Sequence, residues 1–171
     1  RLVTHIHETE ILRAEDQLSS LCAMALAHGL EVGLEFTGFS AGCNGLNAAA
    51  ALHGRVDQPN LKIAIDALHL FRTGGTLEQL KASDPAIIGY AQLCDVPLTS
   101  ALPNYMEEAM NARLAPGSGK LPLAEFVALL PRDIPIGLEV PNIALASAMA
   151  DPAERLQPAV TAARDLLKLG E

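Results

Sequence analysis

Apolar residues recur along the chain at two spacings, and these spacings predict helices and strands in turn. Over Glu10–His28 they fall every three or four positions, as on one face of an amphipathic helix, and Gly29 follows as a helix stop. The next run, residues 30–36 (LEVGLEF), is short and largely apolar, which is typical of a buried strand. A glycine-containing loop then leads to an alanine-rich segment, residues 46–53, that predicts a second helix.

The same alternation continues to the end of the chain. Three further apolar runs predict strands: residues 61–66 (LKIAID), 86–97 and 134–142. Helices are predicted for residues 75–84 with Thr76 as N-cap, for 121–131, and for Asp151–Leu169 with Pro152 near the first turn. The long polar segment that ends near Lys120 carries no predicted element. Four apolar strands alternating with helices predict an α/β fold in which helices cover a parallel sheet.

Each predicted strand ends in polar residues that carry a side-chain oxygen. These residues are Glu35, Asp66, Gln92 with Asp95, and Glu139. Because the carboxyl ends of parallel strands line the ligand-binding mouth of a sheet or barrel, we expect these side chains to converge. Three carboxylates and an amide oxygen suit a hard divalent cation, and without one the carboxylates would raise each other's pKa. The alternative is that each residue caps a helix or is a solvated loop residue.

Three further polar residues are candidates for the same mouth. His69 follows Asp66 by three positions and can donate a hydrogen bond to a substrate oxygen, or else be a satisfied core residue. Arg72 and Arg113 can bind a substrate oxygen or neutralise the acidic cluster, and for Arg72 a salt bridge outside the substrate site is the favoured alternative. The segment 116–120 (PGSGK) lacks the length and order of a phosphate-binding loop and predicts a turn before a helix.

The composition narrows the class of partner. The chain has 171 residues, of which 50% are hydrophobic and 19% charged, and this profile predicts one soluble globular domain. A formal net charge of -8 argues against nucleic acid or an anionic membrane as the partner and leaves a small molecule or a protein. Three cysteines without metal-ligand spacing predict a reducing, cytoplasmic location. No apolar run reaches the roughly 20 residues that span a bilayer.

Five segments taken together resemble a known family. They are GLEF, IDALHLFRTGG, YAQLCDVP, ARLAPGSGKLPLAEF and IGLEVPN, spread between Glu10 and Asn142. In this order they are similar to the later strands of the xylose isomerase-like TIM barrels, the sugar phosphate isomerase/epimerase group. The resemblance implies one divalent metal ion (Mn²⁺, Mg²⁺ or Co²⁺). Its ligands would be Glu35, Asp66, Gln92 and Glu139. Gln92 stands where many characterised epimerases have histidine.

The resemblance also implies a reaction. Glu35 and Glu139 would be the acid/base pair, and His69 and Arg113, with Arg72 as a weaker match, lie at positions that contact substrate oxygens in the family. The expected enzyme is a metal-dependent isomerase or epimerase of a small sugar-like substrate, acting by proton transfer through a metal-stabilised enediolate. Two alternatives stay open: a metal-dependent lyase or dehydratase on the same site, and a non-catalytic barrel fragment that binds a partner subunit.

The number of predicted strands is small for this fold. A complete barrel takes about 250 residues and eight strands, whereas four strands are predicted here. Residues 1–171 are therefore expected to be the C-terminal part of a single barrel domain, about four βα units. The chain begins at Arg1 without an initiator methionine. We expect either an N-terminal half that is missing from this sequence or a half-barrel that pairs with another copy or subunit, since open apolar sheet edges promote aggregation.

Overall fold

The computed structural model describes residues 1–100 and 102–169 of the chain. It contains five strands: β1 (Leu2–Thr4), β2 (Val32–Glu35), β3 (Leu61–Asp66), β4 (Ile88–Leu93) and β5 (Ile136–Leu138). Eight helices are described: α1 (Ile11–Leu26), α2 (Leu46–Val56), α3 (Ala67–Arg72), α4 (Leu77–Ala82), α5 (Tyr105–Asn111), α6 (Leu123–Leu129), α7 (Ile143–Ala148) and α8 (Pro152–Leu169). Each of these helices falls short of the length or the apolar character that crossing a lipid bilayer requires.

All five strands form one parallel sheet in the order β1-β2-β3-β4-β5. Each strand pairs with the next one in the sequence, and helices lie between consecutive strands, as the alternating pattern predicts. The sheet curls into a half-barrel, which confirms the predicted TIM-barrel type of fold in partial form. The carboxyl ends of all five strands therefore lie on the same rim.

Helix α1 shows why the sequence pattern predicts the fold correctly. Its buried residues are Ala14, Leu18, Cys22 and Ala25, spaced three or four apart as predicted. Every residue of β2 is buried, as are most residues of β3, so these central strands are covered on both faces. The predicted N-cap of α4 is confirmed, because Thr76 Oγ1 accepts from the N–H of Gln79 while the Gln79 side chain accepts from the N–H of Thr76.

The predicted count of four strands is wrong, because β1 adds a fifth at the N-terminal edge. This strand has only three residues, and Leu2 and Val3 remain 39% and 44% exposed, so neither length nor burial marks it in the sequence. Three short helices were also missed: α3, α5 and α7. Each spans about two turns or fewer, which is too short for a periodic apolar pattern, and each begins at a polar N-cap (Asp66, Asn104 and Asn142).

The two outer strands, β1 and β5, each have one edge that pairs with no strand among the described residues. All three residues of β5 are half-buried, whereas the residues of β2 at the centre of the sheet are buried. Apolar residues are exposed near both edges, including Val3 in β1 and Ile143 at the start of α7, the helix after β5. A parallel sheet with such edges offers backbone N–H and C=O groups for further strands.

Candidate metal and substrate site

Four predicted ligands lie together on the carboxyl rim of the sheet. Glu35 and Asp66 are the last residues of β2 and β3, Gln92 is the penultimate residue of β4, and Glu139 directly follows β5. The strand register places Asp66 opposite Gln92, and Gln92 opposite Gly137. The regular parallel pairing thus brings residues that are far apart in the sequence to one spot.

Two oxygens at this spot are buried without a hydrogen-bond partner. They are Oε1 of Glu35 and Oε1 of Gln92. The amide nitrogen fixes the orientation of the Gln92 side chain, because Nε2 donates to Oε2 of Glu139 at 2.7 Å. Such acceptors are costly in a protein interior unless a donor or a cation satisfies them. Their presence on the rim fits a bound divalent cation.

Asp66 is fully buried and accepts two hydrogen bonds from the protein. Its Oδ1 accepts from the backbone N–H of His69 at 2.9 Å, which caps α3, and its Oδ2 lies 2.9 Å from Nη1 of Arg113. Burial raises the pKa of Asp66 to about 6, against the opposing effect of Arg113 and the His69 N–H. Asp66 lies with the other predicted ligands, but its carboxylate is engaged by Arg113.

Arg113 is the buried cation of the site. Besides Asp66, its Nη1 contacts Oε2 of Glu139 at 3.3 Å, and its Nε donates to the carbonyl of Ala109 at 2.7 Å. Burial opposes the charged form, but the carboxylates of Asp66 and Glu139 more than compensate and the pKa of Arg113 is raised. Arg113 therefore sits where the sequence predicts it, within reach of the carboxylates.

His69 lies on α3 with its ring facing the same spot. One ligand atom from each of Glu35, His69 and Glu139 lies within 4.8 Å of the other two, the spacing of a metal-binding group. The Nε2 atom of His69 is 3.9 Å from Oε1 of Glu35 and 3.4 Å from Nη2 of Arg113. Burial, together with Arg113, lowers the pKa of His69 to about 3, so its imidazole is neutral at physiological pH.

Glu35 has the most perturbed carboxyl group of the rim. Burial raises its pKa to about 8, repulsion from Asp66 and Glu139 adds to the increase, and Arg113 partly offsets it. His5, to which the sequence assigns no role, lies beside it: Nε2 of His5 is 3.5 Å from Oε2 of Glu35. Only the pairing of β1 with β2 brings His5 here, so no local sequence signal identifies it.

Tyr105 is a second residue that the sequence does not reveal. Its hydroxyl accepts from the N–H of Gly38 at 3.0 Å and hydrogen-bonds Nδ1 of His69. Phe39 packs against both rings, with centroid distances of 5.9 Å to His69 and 5.6 Å to Tyr105. Tyr105 begins α5, which lies inside the segment read as polar. The Asn104 side chain, which accepts from the N–H of Glu107, is the one local signal of a helix start there.

Arg72 contacts none of the carboxylates at the strand ends and binds a different one. Its Nε and Nη2 donate to the two carboxylate oxygens of Glu108 at 2.6 and 2.9 Å, and further N–H groups donate to the carbonyls of Pro97 and Leu98. Most of its donors are therefore used within the protein. The geometry matches the salt bridge that the sequence favours for Arg72, and its predicted contact with substrate has no support from these distances.

Asp95, which the sequence places with Gln92 at a strand end, serves the loop that follows. Its carboxylate accepts from the backbone N–H groups of Val96, Gly117 and Leu121 at 2.9 to 3.0 Å. Gly119 packs so closely that a Cβ there would lie 2.3 Å from Oδ1 of Asp95. The PGSGK segment is therefore a fixed turn before α6, as predicted, and Asp95 is not available as a ligand.

A groove of about 940 Å³ opens between the end of α5, α7 and α8. Its lining is mostly apolar, and of the predicted site residues only Arg113 contributes to it. The groove therefore adjoins the carboxylate cluster without containing it.

Comparison with known proteins gives consistent matches. The model of the family described as xylose isomerase-like TIM barrel matches residues 5–166. A 3-dehydroshikimate dehydratase of Pseudomonas aeruginosa is 29% identical over 113 residues, which are 66% of this chain and 18% of that protein. The structure of an IolI protein with a bound zinc atom has a TM-score of 0.82 and 21% identity, covering 96% of this chain and 62% of that one.

A D-allulose 3-epimerase from Methylomonas sp. is also similar, with a TM-score of 0.69 and 16% identity. That match covers 92% of this chain and 56% of the epimerase. At these identities the solved structures show the fold alone. The chain spans less than two thirds of the length of each of the three proteins.

Proposed function

Because the chain belongs to the xylose isomerase-like TIM barrel family, we propose that it carries the site of a metal-dependent enzyme that removes a proton next to a carbonyl group. The substrate class is a small polyhydroxy carbonyl compound, such as a sugar or a related cyclic ketone. The observation that carries the proposal is the pair of buried, unpartnered oxygens on Glu35 and Gln92, which share one rim with the carboxylates of Asp66 and Glu139.

The donor set fits a divalent cation. Glu35, Asp66, Gln92 and Glu139 would hold it, with Arg113 giving up part of its contact to Asp66. Carboxylate and amide oxygens suit Mg²⁺, Mn²⁺ or Co²⁺, while the zinc atom of the IolI structure is evidence for that protein only. When bound, the cation would supply the positive charge that polarises a carbonyl group and makes the neighbouring C–H more acidic.

The two glutamates would move the proton. Glu35 lies at the end of β2 and Glu139 at the end of β5, so a substrate bound on the rim would meet one carboxyl from each side of the site. In the metal-free protein, burial and the neighbouring carboxylates raise the pKa of Glu35 to about 8, and a bound cation would lower it and leave the Glu35 carboxylate free to act as a base. Glu139 is kept in place by hydrogen bonds from Gln92 and Arg113. His69 would hydrogen-bond a substrate oxygen.

Proton abstraction leads to one of two outcomes. If the first glutamate keeps the abstracted proton and the second delivers its own, to the opposite face or to the neighbouring carbon, the result is epimerisation or isomerisation, which two carboxyls on separate strand ends support. Loss of a β-hydroxyl gives dehydration, which is supported by the 29% identity over 113 residues to a 3-dehydroshikimate dehydratase. We place dehydration first for this reason and keep the isomerase or epimerase as the second candidate.

We also propose that further strands complete the barrel. Eight strands close a barrel and five are described here, so three more would pair with the free edges of β1 and β5. They would come from a longer form of this polypeptide or from a second copy. Light scattering coupled to gel filtration distinguishes these sources, because self-association of this chain supports the second copy.

Proton exchange with solvent tests the chemistry for both outcomes at once. The metal-loaded protein is incubated in D₂O with 3-dehydroshikimate and, separately, with ketohexoses, and the products are followed by NMR and ultraviolet absorbance. We expect the first substrate to lose water and gain one further C=C bond. A deuterium-labelled epimer from a ketohexose would instead establish the second candidate. Metal-loaded, folded protein that leaves the C–H groups of both substrate classes unexchanged would contradict the proposed reaction.

A further inference from the structure

We propose that Tyr105 is a positioning residue that holds His69 with its proton on Nε2, so that His69 donates a hydrogen bond to the substrate and does not ligate the metal. The inference rests on the proposed function for the place of His69 beside a substrate.

The Tyr105 hydroxyl has two partners among the described residues. The N–H of Gly38 can only donate, so at this contact the phenolic oxygen accepts. The remaining partner is Nδ1 of His69. For the hydroxyl proton to have an acceptor, Nδ1 must receive it. A neutral imidazole that accepts at Nδ1 carries its own hydrogen on Nε2.

The surroundings of Nε2 leave its hydrogen available to a substrate oxygen. Oε1 of Glu35, a buried oxygen without a hydrogen-bond partner, lies 3.9 Å from Nε2, which is beyond hydrogen-bond distance. Nη2 of Arg113 lies 3.4 Å from Nε2, and only the opposite tautomer could accept a hydrogen bond there. That tautomer would leave the proton of the Tyr105 hydroxyl without an acceptor among the described residues. The assignment therefore rests on the Tyr105 hydroxyl.

Packing keeps Tyr105 in this position. Its ring contacts Phe39 and lies against the loop after β2, where a Cβ on Gly38 would come within 2.9 Å of the Tyr105 ring. Its ring centroid is 5.7 Å from that of His69. The loop that follows Glu35 and the start of α5 are thus joined through Tyr105, and His69 is held between them.

The assignment separates two readings of the site. Spacing alone groups Glu35, His69 and Glu139 as metal ligands. A nitrogen that carries hydrogen has no lone pair for a metal, so His69 is left outside the ligand set. The cation is then held by Glu35, Asp66, Gln92 and Glu139, and His69 points an N–H group at the substrate.

The tautomer is measured directly by NMR. The protein is labelled with ¹⁵N-histidine, and long-range ¹H–¹⁵N spectra are recorded near pH 7.5 without metal and with Mg²⁺. The chain has five histidines, and His69→Asn identifies the signals of His69. We expect the Nε2–H pattern in the wild type and a mixture of tautomers, or the Nδ1–H pattern, in Tyr105→Phe. Tyr90→Phe, the other tyrosine, is the matched control and should leave the His69 pattern unchanged.

Two results would overturn the inference. One is an Nδ1–H pattern for His69 in the wild type, a result that stands even where Tyr105→Phe does not fold. The other is a loss of Mg²⁺ or Mn²⁺ affinity of more than about tenfold in His69→Asn, because such a loss makes His69 a ligand. We expect a change of less than about threefold. Absence of metal binding in the wild type would contradict the proposed function while leaving the tautomer reading intact.

Discussion

Arg113 and Asp66 form an ion pair from which solvent is excluded: Nη1 lies 2.9 Å from Oδ2, and the two side chains are 2% and 0% exposed. The pair joins Arg113, which lies two residues after the end of α5, to Asp66 at the end of β3. It balances charge on a rim that holds two further carboxyl groups. A divalent cation at the same rim would compete with Arg113 for Asp66, so charge balance and metal binding are coupled in this site.

Removal of Arg113 should therefore destabilise the metal-free protein. In Arg113→Met, Asp66 must either keep a buried charge without a partner or take up a proton, and breaking a buried pair in this way costs about 3–5 kcal/mol. Urea unfolding of the wild type and the variant measures the difference. We expect Mn²⁺ to recover part of the loss by replacing the missing charge. A change below about 1 kcal/mol would mean that Asp66 is not held by this pair.

Glu35 should make the metal-free protein less stable as the pH rises from 6.5 to 8. Its pKa is about 8 in the folded protein and 4.5 ordinarily, so in this window the folded state retains a proton that the unfolded state has released. His69 opposes this trend near pH 6.5, because its imidazole is neutral in the folded state and about half protonated in the unfolded state, and its effect fades as the pH approaches 8. The expected loss is about 2 kcal/mol at most.

The measurement is the free energy of unfolding at pH 6.5, 7.2 and 8 with chelator present. Glu35→Gln cannot titrate and should show a flatter profile over the same range. An equal slope in the variant and the wild type would show that Glu35 is already ionised at neutral pH.

Arg72→Ala should affect stability and leave the metal site unchanged. The substitution leaves the buried Glu108 carboxylate without its bidentate partner, and we expect a loss of about 2 kcal/mol. Metal affinity should stay within about twofold of the wild type. If the variant instead keeps its stability and raises KM for a substrate, Arg72 binds substrate, as the family resemblance implies.

Asp95→Ala should loosen the turn that leads to α6. Three backbone N–H groups lose their acceptor, and the expected loss is about 1–3 kcal/mol because water can replace part of it. Limited proteolysis within residues 114–121 should accelerate in the variant. Protection equal to that of the wild type would mean that the turn is held by other contacts.

The convergence of the site could be predicted from the sequence because it depends on regular structure. In a parallel sheet, residues at the carboxyl ends of strands must share one rim, so Glu35, Asp66 and Gln92 could be placed without knowing the loops. Glu139 followed from the same argument. The parallel α/β architecture could also be predicted, because the apolar runs of the strands and the helical spacing of apolar residues are both clear in the sequence.

The rest of the site depends on contacts that leave no trace in a local pattern. Strand β1 is too short to recognise, so His5 beside Glu35 could not be anticipated. Tyr105 begins a helix of seven residues in a polar segment, and its contact with His69 crosses 36 positions of the sequence. Asp95 looks like a site residue by position, but its burial against backbone N–H groups can be seen only in the folded chain.

The proposed chemistry depends on one divalent cation at the strand ends, and calorimetric titration measures whether that ion binds. Chelator-treated wild-type protein, Glu35→Gln/Glu139→Gln and the control Glu107→Gln, which alters an exposed carboxylate on α5, are each titrated with Mn²⁺, Co²⁺ and Mg²⁺. We predict one ion per chain in the wild type and the control, and loss of that binding in the double variant. Folded wild-type protein that binds none of the three ions, or binding that survives unchanged in the double variant, would contradict the account.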